Sequence, residues 1–189
     1  AEVLNDYQCN IYSNTNYMMA AMVIESATGN SWVQNLHTYI FDPLNLDSTF
    51  VGAFETPNGA VAHEWYDGNV TEIVNSPMTS LYSMIHAAGA IFSTANEMVQ
   101  WYEALFNGIV ISGASLQEII SCDPTTLYGL GLKTAPVDYP VYGHDGIMIG
   151  YQSFSMYDAK TKSILCILTN GGSASVMPLF FSLLNVLTY

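Results

Sequence analysis

A chain of 189 residues that is 50% hydrophobic, with a mean hydropathy of +0.25, can bury one sizeable core and is too apolar to stay disordered. Sixteen acidic residues stand against three lysines (Lys133, Lys160 and Lys162) and no arginine, and the net charge of -13 repels phosphate backbones and anionic lipid surfaces. Cys9, Cys122 and Cys166 follow no C-x-x-C spacing and cannot all pair, so neither a zinc site nor a disulfide framework is expected.

The first predicted element is a helix over MMAAMVIESATG, with Gly29 as its stop. The polar stretch IYSNTNY before it has two readings. Asn14 or Thr15 caps the helix, or Tyr12 and Asn14 turn their polar ends into a cleft. Ser31 with Gln34 makes a capping-box pattern ahead of WVQNLHTYIF, which Pro43 is expected to stop. Residues 50 to 92 are rich in Gly, Pro, Asn and isolated aromatics and read as long irregular connections. Thr94 with Glu97 opens a helix over ANEMVQWYEALFNG, in which Met98, Trp101, Tyr102 and Leu105 form one apolar stripe and Gly108 closes the element. Ser115 with Glu118 opens a shorter helix, LQEII.

After Asp123 and Pro124 the pattern changes to the short runs LYGLGLK, YPVYGHDG, YQSFSMY and SILCILTN, the last two joined across the hairpin-length loop DAKTK. VMPLFFSLLNVLTY is too short to span a bilayer and contains Pro178 and Asn185, so it reads as a packed terminal helix. The predicted fold is α+β in a single unit over 1–189. Residues 1–126 are mainly helices and loops, and 127–189 form an antiparallel sheet of about three strands plus the terminal helix.

Chemistry concentrates in GHDGIMIGY. Glycines 143, 146 and 150 around His144 let a backbone approach a ligand closely, and the Ile147 amide could donate to an oxyanion; a strand turn would use the same glycines. Elsewhere His63, in VAHEWYDG, is read as part of a loop packed by aromatics. His37 and His86 have no ligand-spaced partners, Met18, Met19 and Met22 are read as core filler, and the Asn69-Val70-Thr71 sequon carries no weight. No metal site and no cofactor are expected.

Taken in order, YSNTNYMMAAMVIESATGNSW, FDPLNLDSTF, AAGAIFSTANEMVQWYEALFNG, YGLGL and GHDGIMIGYQS resemble the serine β-lactamase and penicillin-binding-protein-like superfamily, in its class C β-lactamase, D-alanyl-D-alanine carboxypeptidase and family VIII esterase branch. The resemblance implies a β-lactamase/transpeptidase-like fold and an acyl-transfer site made of a Ser-x-x-Lys helix, the Tyr-x-Asn loop and a Lys/His-x-Gly strand. By that carry-over Tyr12 moves protons between nucleophile and leaving group, and Asn14 hydrogen-bonds the substrate amide. His144 and Gly146 occupy the third motif, Asp145 borders the substrate, and Ile147 lends its amide to the oxyanion hole. A periplasmic or extracellular setting is implied in the same way.

The departure from the pattern matters as much. No lysine has a serine three positions before it: Leu130 precedes Lys133, Tyr157 precedes Lys160 and Ala159 precedes Lys162. The chain therefore reads as the C-terminal part of a longer hydrolase acting on esters, amides or D-amino-acid peptides, incomplete at its N-terminus and inactive alone. Two other readings stand beside it: a non-catalytic module gripping peptidoglycan stems or D-amino acids, and a structural piece completed by another chain. His144 followed by Asp145 disfavours carboxylate-ended substrates, because a histidine is partly charged near neutrality and a neighbouring carboxylate repels anions. The expected partners are a small molecule or peptide, with no nucleic acid and no membrane span, and with homo-oligomer formation through an uncovered sheet edge.

Overall fold

The computed structural model describes residues 12–63, 65–66, 69–70, 79–135, 140–148, 150–171 and 176–187. Cys9, Thr71 of the sequon and Ile149 of the glycine-rich strand lie outside the described residues.

Helix α1 (Asn14–Thr28) follows an extended Ser13 whose side chain makes no cap hydrogen bond, and Asn14 is its first helical residue rather than its cap. Gly29, at φ 71°, ends it in the left-handed conformation that a residue without Cβ adopts at no steric cost. Helix α2 (Trp32–Leu36) starts on the full capping box: the Gln34 amide donates to Ser31 Oγ, and the Ser31 amide to Gln34 Oε1. Pro43 does not stop this segment. A π-helical turn (His37–Phe41) leads into α3 (Asp42–Leu44), where proline sits in the first turn and needs no amide partner, and the chain breaks only at the left-handed Asn45.

The stretch between 50 and 92 holds more regular structure than its composition suggests. It contains β1 (Phe50–Val51), β2 (Trp65–Tyr66), β3 (Asn69–Val70), α4 (Thr79–Ile85), a 3-10 turn (His86–Ala88) and β4 (Ile91–Phe92). β1 pairs with β4 and β2 with β3, both antiparallel. Around them Ala21, Trp32, Phe41, Leu46, Val51, Tyr82 and Ala90 form the first core.

Helix α5 (Ala95–Phe106) begins at Thr94, whose side chain accepts from the Glu97 amide. The Glu97 carboxylate does not close the box. It is buried and reaches back to the loop after α3, accepting from the Ser48 amide at 2.8 Å and from Thr49 Oγ1 at 2.5 Å, so a charge-assisted pair ties α5 to the first core. Helix α6 (Gly113–Ile120) starts two residues before the predicted serine, because Ser112, not Ser115, is its cap.

The sheet has four antiparallel strands in sequential order: β5 (Lys133–Thr134), β6 (Val141–Met148), β7 (Tyr151–Asp158) and β8 (Ser163–Thr169). The run LYGLGLK is mostly a turn; only Lys133 and Thr134 form a strand, which supplies the fourth member. Alternation sorts the side chains. Tyr142 and Tyr157 stack on Phe106 of α5, and Tyr102 of the same helix donates to the Ser155 carbonyl at 3.2 Å. On the opposite face Val141, Met156 and Ile167 pack with Val176 and with Phe180 of α7 (Met177–Leu187), the terminal helix. Buried Asp158 closes the β7–β8 loop by accepting from the Lys160 and Thr161 amides and the Thr161 hydroxyl. Among the described residues no helix is long and apolar enough to cross a membrane.

Candidate active site

The six residues singled out in the sequence, Tyr12, Asn14, His144, Asp145, Gly146 and Ile147, all line one cleft of about 1140 Å³. The start of α1 supplies the first two and the middle of β6 the other four. β5 pairs only with Tyr142 and Gly143, so from His144 to Met148 strand β6 has β7 on one side and no β5 partner on the other. The cleft runs along that side. Its far wall is the loop Pro57–Ala62, held to the sheet by Tyr151 donating to the Ala62 carbonyl at 2.5 Å and by Asn170 donating to the His63 carbonyl at 2.7 Å.

The Tyr12 hydroxyl donates to Asn14 Oδ1 at 2.7 Å. That bond fixes the phenol proton and leaves the oxygen lone pairs as acceptors. The Tyr12 ring lies 5.4 Å from the His144 ring, centre to centre, so the Tyr-x-Asn and His-x-Gly segments, separated by about 130 positions, meet. Gly146 is accounted for here: a Cβ would fall 2.5 Å from Ser153 Oγ, a side chain that also lines the cleft. Gly143 has a different reason. A Cβ there would fall 2.2 Å from the Ser155 carbonyl oxygen, so it is required by the close approach of β7 rather than by a ligand.

His144 is less readily charged than the sequence suggests. Burial holds its pKa below the ordinary histidine range against the opposing hydrogen bond to the Asp145 main chain, with the nearby Lys133 acting in the same direction as burial. Its Nδ1 lies 2.6 Å from the Asp145 carbonyl oxygen, and its Nε2 lies 3.1 Å from the Tyr128 hydroxyl, which also bonds the Tyr17 hydroxyl. Nor is Asp145 a lone carboxylate. It forms an ion pair with Lys133; burial raises its pKa, but the Lys133 hydrogen bond and charge outweigh this and hold the carboxyl below its usual range. The repulsion expected of Asp145 toward anions is therefore offset by a lysine 12 positions earlier in the chain.

Tyr17 and Lys133, which line the cleft, and the buried Tyr128, which reaches His144, escaped the sequence reading. Tyr17 stands three positions after Asn14, on the same face of a helix, and that spacing could have found it. Tyr128 and Lys133 flank the turn of the YGLGLK run, where Gly129 cannot carry a Cβ, which would meet the Ile119 carbonyl oxygen at 2.5 Å, and where Gly131 has a φ of 91°. The turn brings both side chains to the end of β6. His63 is not among the residues lining the cleft.

A family model described as Beta-lactamase matches residues 7–178. Penicillin-binding protein PbpX of Bacillus subtilis (strain 168) is 25% identical over 163 residues, covering 84% of this chain and 39% of its own length. Among solved structures, D-amino acid amidase from Ochrobactrum anthropi SV3, complexed with L-phenylalanine amide, superimposes with a TM-score of 0.72 at 28% identity, over 87% of this chain and 51% of that one. The octameric penicillin-binding protein homologue from Pyrococcus abyssi shares the fold with a TM-score of 0.80 at 20% identity, over 94% of this chain and 42% of that one. The chain thus spans about half, or less, of the length of these relatives.

Proposed function

Because the chain belongs to the β-lactamase family, we propose that it carries half of an acyl-transfer site, the half that moves protons and positions the substrate, in a serine hydrolase whose nucleophile and base come from sequence outside these 189 residues. The observation that carries this reading is the meeting of Tyr12, Asn14 and His144 on one cleft, with the Tyr12 proton engaged by Asn14. A serine hydroxyl brought beside Tyr12 would find a hydrogen-bond acceptor in the phenol oxygen while its proton passes to the lysine of the Ser-x-x-Lys segment, and the Tyr12 hydroxyl would relay that proton to the leaving group, with Asn14 placed to bond the substrate amide. The amide of Ile147, on the strand that borders the cleft, would serve the developing oxyanion.

The substrate class is an ester, an amide or a D-amino-acid peptide. A His144 whose burial disfavours the charged form and an Asp145 already paired with Lys133 leave this side of the cleft little net charge, which suits an uncharged or zwitterionic acyl donor better than a carboxylate-ended one. The similarity to a D-amino acid amidase supports the same class. The reaction is acyl transfer to the missing serine and then to water.

The chain alone is inactive in this reading. Purified, it takes no label from a fluorescent penicillin or a fluorophosphonate and hydrolyses p-nitrophenyl esters at the buffer rate, whereas the same sequence joined to its Ser-x-x-Lys segment is labelled stoichiometrically. Labelling of a serine within these 189 residues would overturn the division of the site.

A further inference from the structure

The hydroxyls and nitrogens around His144 form a chain with a single consistent direction. A main-chain carbonyl can only accept, so the 2.6 Å contact from Nδ1 to the Asp145 oxygen requires the proton on Nδ1. In a neutral imidazole Nε2 is then the acceptor, and the Tyr128 hydroxyl, 3.1 Å away, donates to it. The Tyr128 oxygen is left to accept from Tyr17. With the ring neutral, the order Tyr17, Tyr128, His144, Asp145 main chain satisfies every polar atom along it, and reversing any one bond would leave two donors or two acceptors facing each other.

We propose that Tyr128 is a positioning residue that locks His144 as a neutral, Nδ1-protonated imidazole, with Tyr17 setting the direction of the Tyr128 hydroxyl. A donor on Nε2 stabilises the neutral ring and opposes protonation, and burial acts the same way. The other groups facing the ring are Tyr12 from just before α1, Lys133 from β5 and Asp145 beside it on β6, while Tyr102 of α5 meets the His144 main chain. The Lys133 charge also disfavours an imidazolium. Asp145 favours one, but its carboxylate is held by Lys133.

The consequence for specificity rests on the hydrolase reading, while the tautomer does not. The third-motif position presents an imidazole without charge, and the cation on this side of the cleft is Lys133, 5.7 Å from the centre of the Tyr12 ring. A substrate anion would have to compete with Asp145 for it.

The test uses the 189-residue chain labelled with ¹⁵N-histidine, with long-range ¹H–¹⁵N correlation spectra recorded across the histidine titration range. Loss of one of the four histidine spin systems in His144→Asn assigns the ring. His144 is expected as the Nδ1-protonated tautomer, with a titration midpoint below the ordinary histidine value of about 6.5. In Tyr128→Phe the midpoint rises by roughly 0.4 to 1 unit, the pKa equivalent of one neutral hydrogen bond, and the Nε2 resonance moves. Tyr17→Phe gives a smaller rise of the same sign, and it decides the matter if the Tyr128 variant fails to fold. A proton on Nε2 of the neutral ring, or a midpoint unmoved by the folded variants, overturns the proposal. These outcomes do not depend on catalysis, so they separate the tautomer from the hydrolase reading.

Discussion

At the scale of single residues, the cleft works by placing polar atoms with one defined role each. Tyr12 is exposed just before α1, touches the rings of Tyr17, Tyr128 and His144, and donates to Asn14, two positions along. Replacing it with phenylalanine keeps the ring contacts and removes the hydroxyl. In the proposed hydrolase, with a Ser-x-x-Lys segment joined to this chain, Tyr12→Phe should lower kcat by roughly two to four orders of magnitude, the range for an acid-base group, with little change in melting temperature. Unchanged turnover would make Tyr12 a structural residue. The sequence order of Tyr-x-Asn and His-x-Gly made these positions legible, because each motif keeps its chemistry within three residues. Tyr128 and Lys133 were not legible, since their roles depend on a turn that folds YGLGLK back on β6 and on diagonal contact across two strands. Neither relation has a short-range signature. The charge of Asp145 was misjudged for the same reason: its neighbour in sequence is His144, but its neighbour in space is Lys133.

At the scale of elements, glycines and carboxylates decide how segments meet. Gly143 and Gly146 look equivalent in GHDG, yet an added methyl meets backbone at the first, 2.2 Å from the Ser155 oxygen, and a rotatable hydroxyl at the second. Gly143→Ala must push β6 away from β7 and should cost at least about 2 kcal/mol, whereas Gly146→Ala asks only that Ser153 turn and should cost less than half of that. Denaturant titration of the two variants checks the contrast, and equal losses would contradict it. The π turn is a second such junction. His37 bonds Asp42 through Nδ1 at 2.9 Å and Glu55 through Nε2 at 2.6 Å, and its pKa is raised, chiefly by the Asp42 bond; burial opposes the rise and Glu55 adds to it. A folded-state pKa above the unfolded value of about 6.5 means that the native state holds the proton more tightly. The stabilisation is therefore complete below that value and is lost as pH rises through the folded pKa. Wild type should melt above His37→Gln by roughly 1 to 3 °C in acidic, low-salt buffer, the small shift of a partly screened pair, and the gap should close in mildly alkaline buffer. A gap independent of pH would assign His37 a packing role only. Helix starts were legible where a serine or threonine oxygen reaches an amide three positions on, as at Ser31 and Thr94. The π turn was not, because no local residue type demands it and Pro43 suggested an end where the helix continues.

At the scale of the whole molecule, the apolar surface is distributed as if something else covers it. Met19, Met22 and Val23 recur at i, i+3 and i+4 on α1 and are 59, 65 and 65% exposed, so two of the three methionines read as core filler face outward, Met18 is half-buried, and only Ala21 of that helix is buried. On α7, Phe180 is buried against the sheet while Leu179, Phe181 and Val186 are exposed. Strand β8, SILCILT, is an edge of its sheet among the described residues and carries neither charge nor proline, the devices that usually protect an edge. Contiguous apolar stripes of this kind are uncommon on soluble monomers, and covering them is favourable at about 25 cal/mol per Å². The net charge of -13 opposes association of like chains. In physiological salt, however, it acts only over a Debye length of about 8 Å, so local apolar burial prevails once surfaces touch. The isolated chain is therefore expected to self-associate at micromolar concentration, by pairing along β8 or by exchange of α7, and joining it to the Ser-x-x-Lys segment of the proposed hydrolase should suppress that association. Light scattering of both forms checks this. A monomer of 20.7 kDa that melts in one cooperative step would show that the chain closes its own core, and would favour an independent binding module over half of a hydrolase.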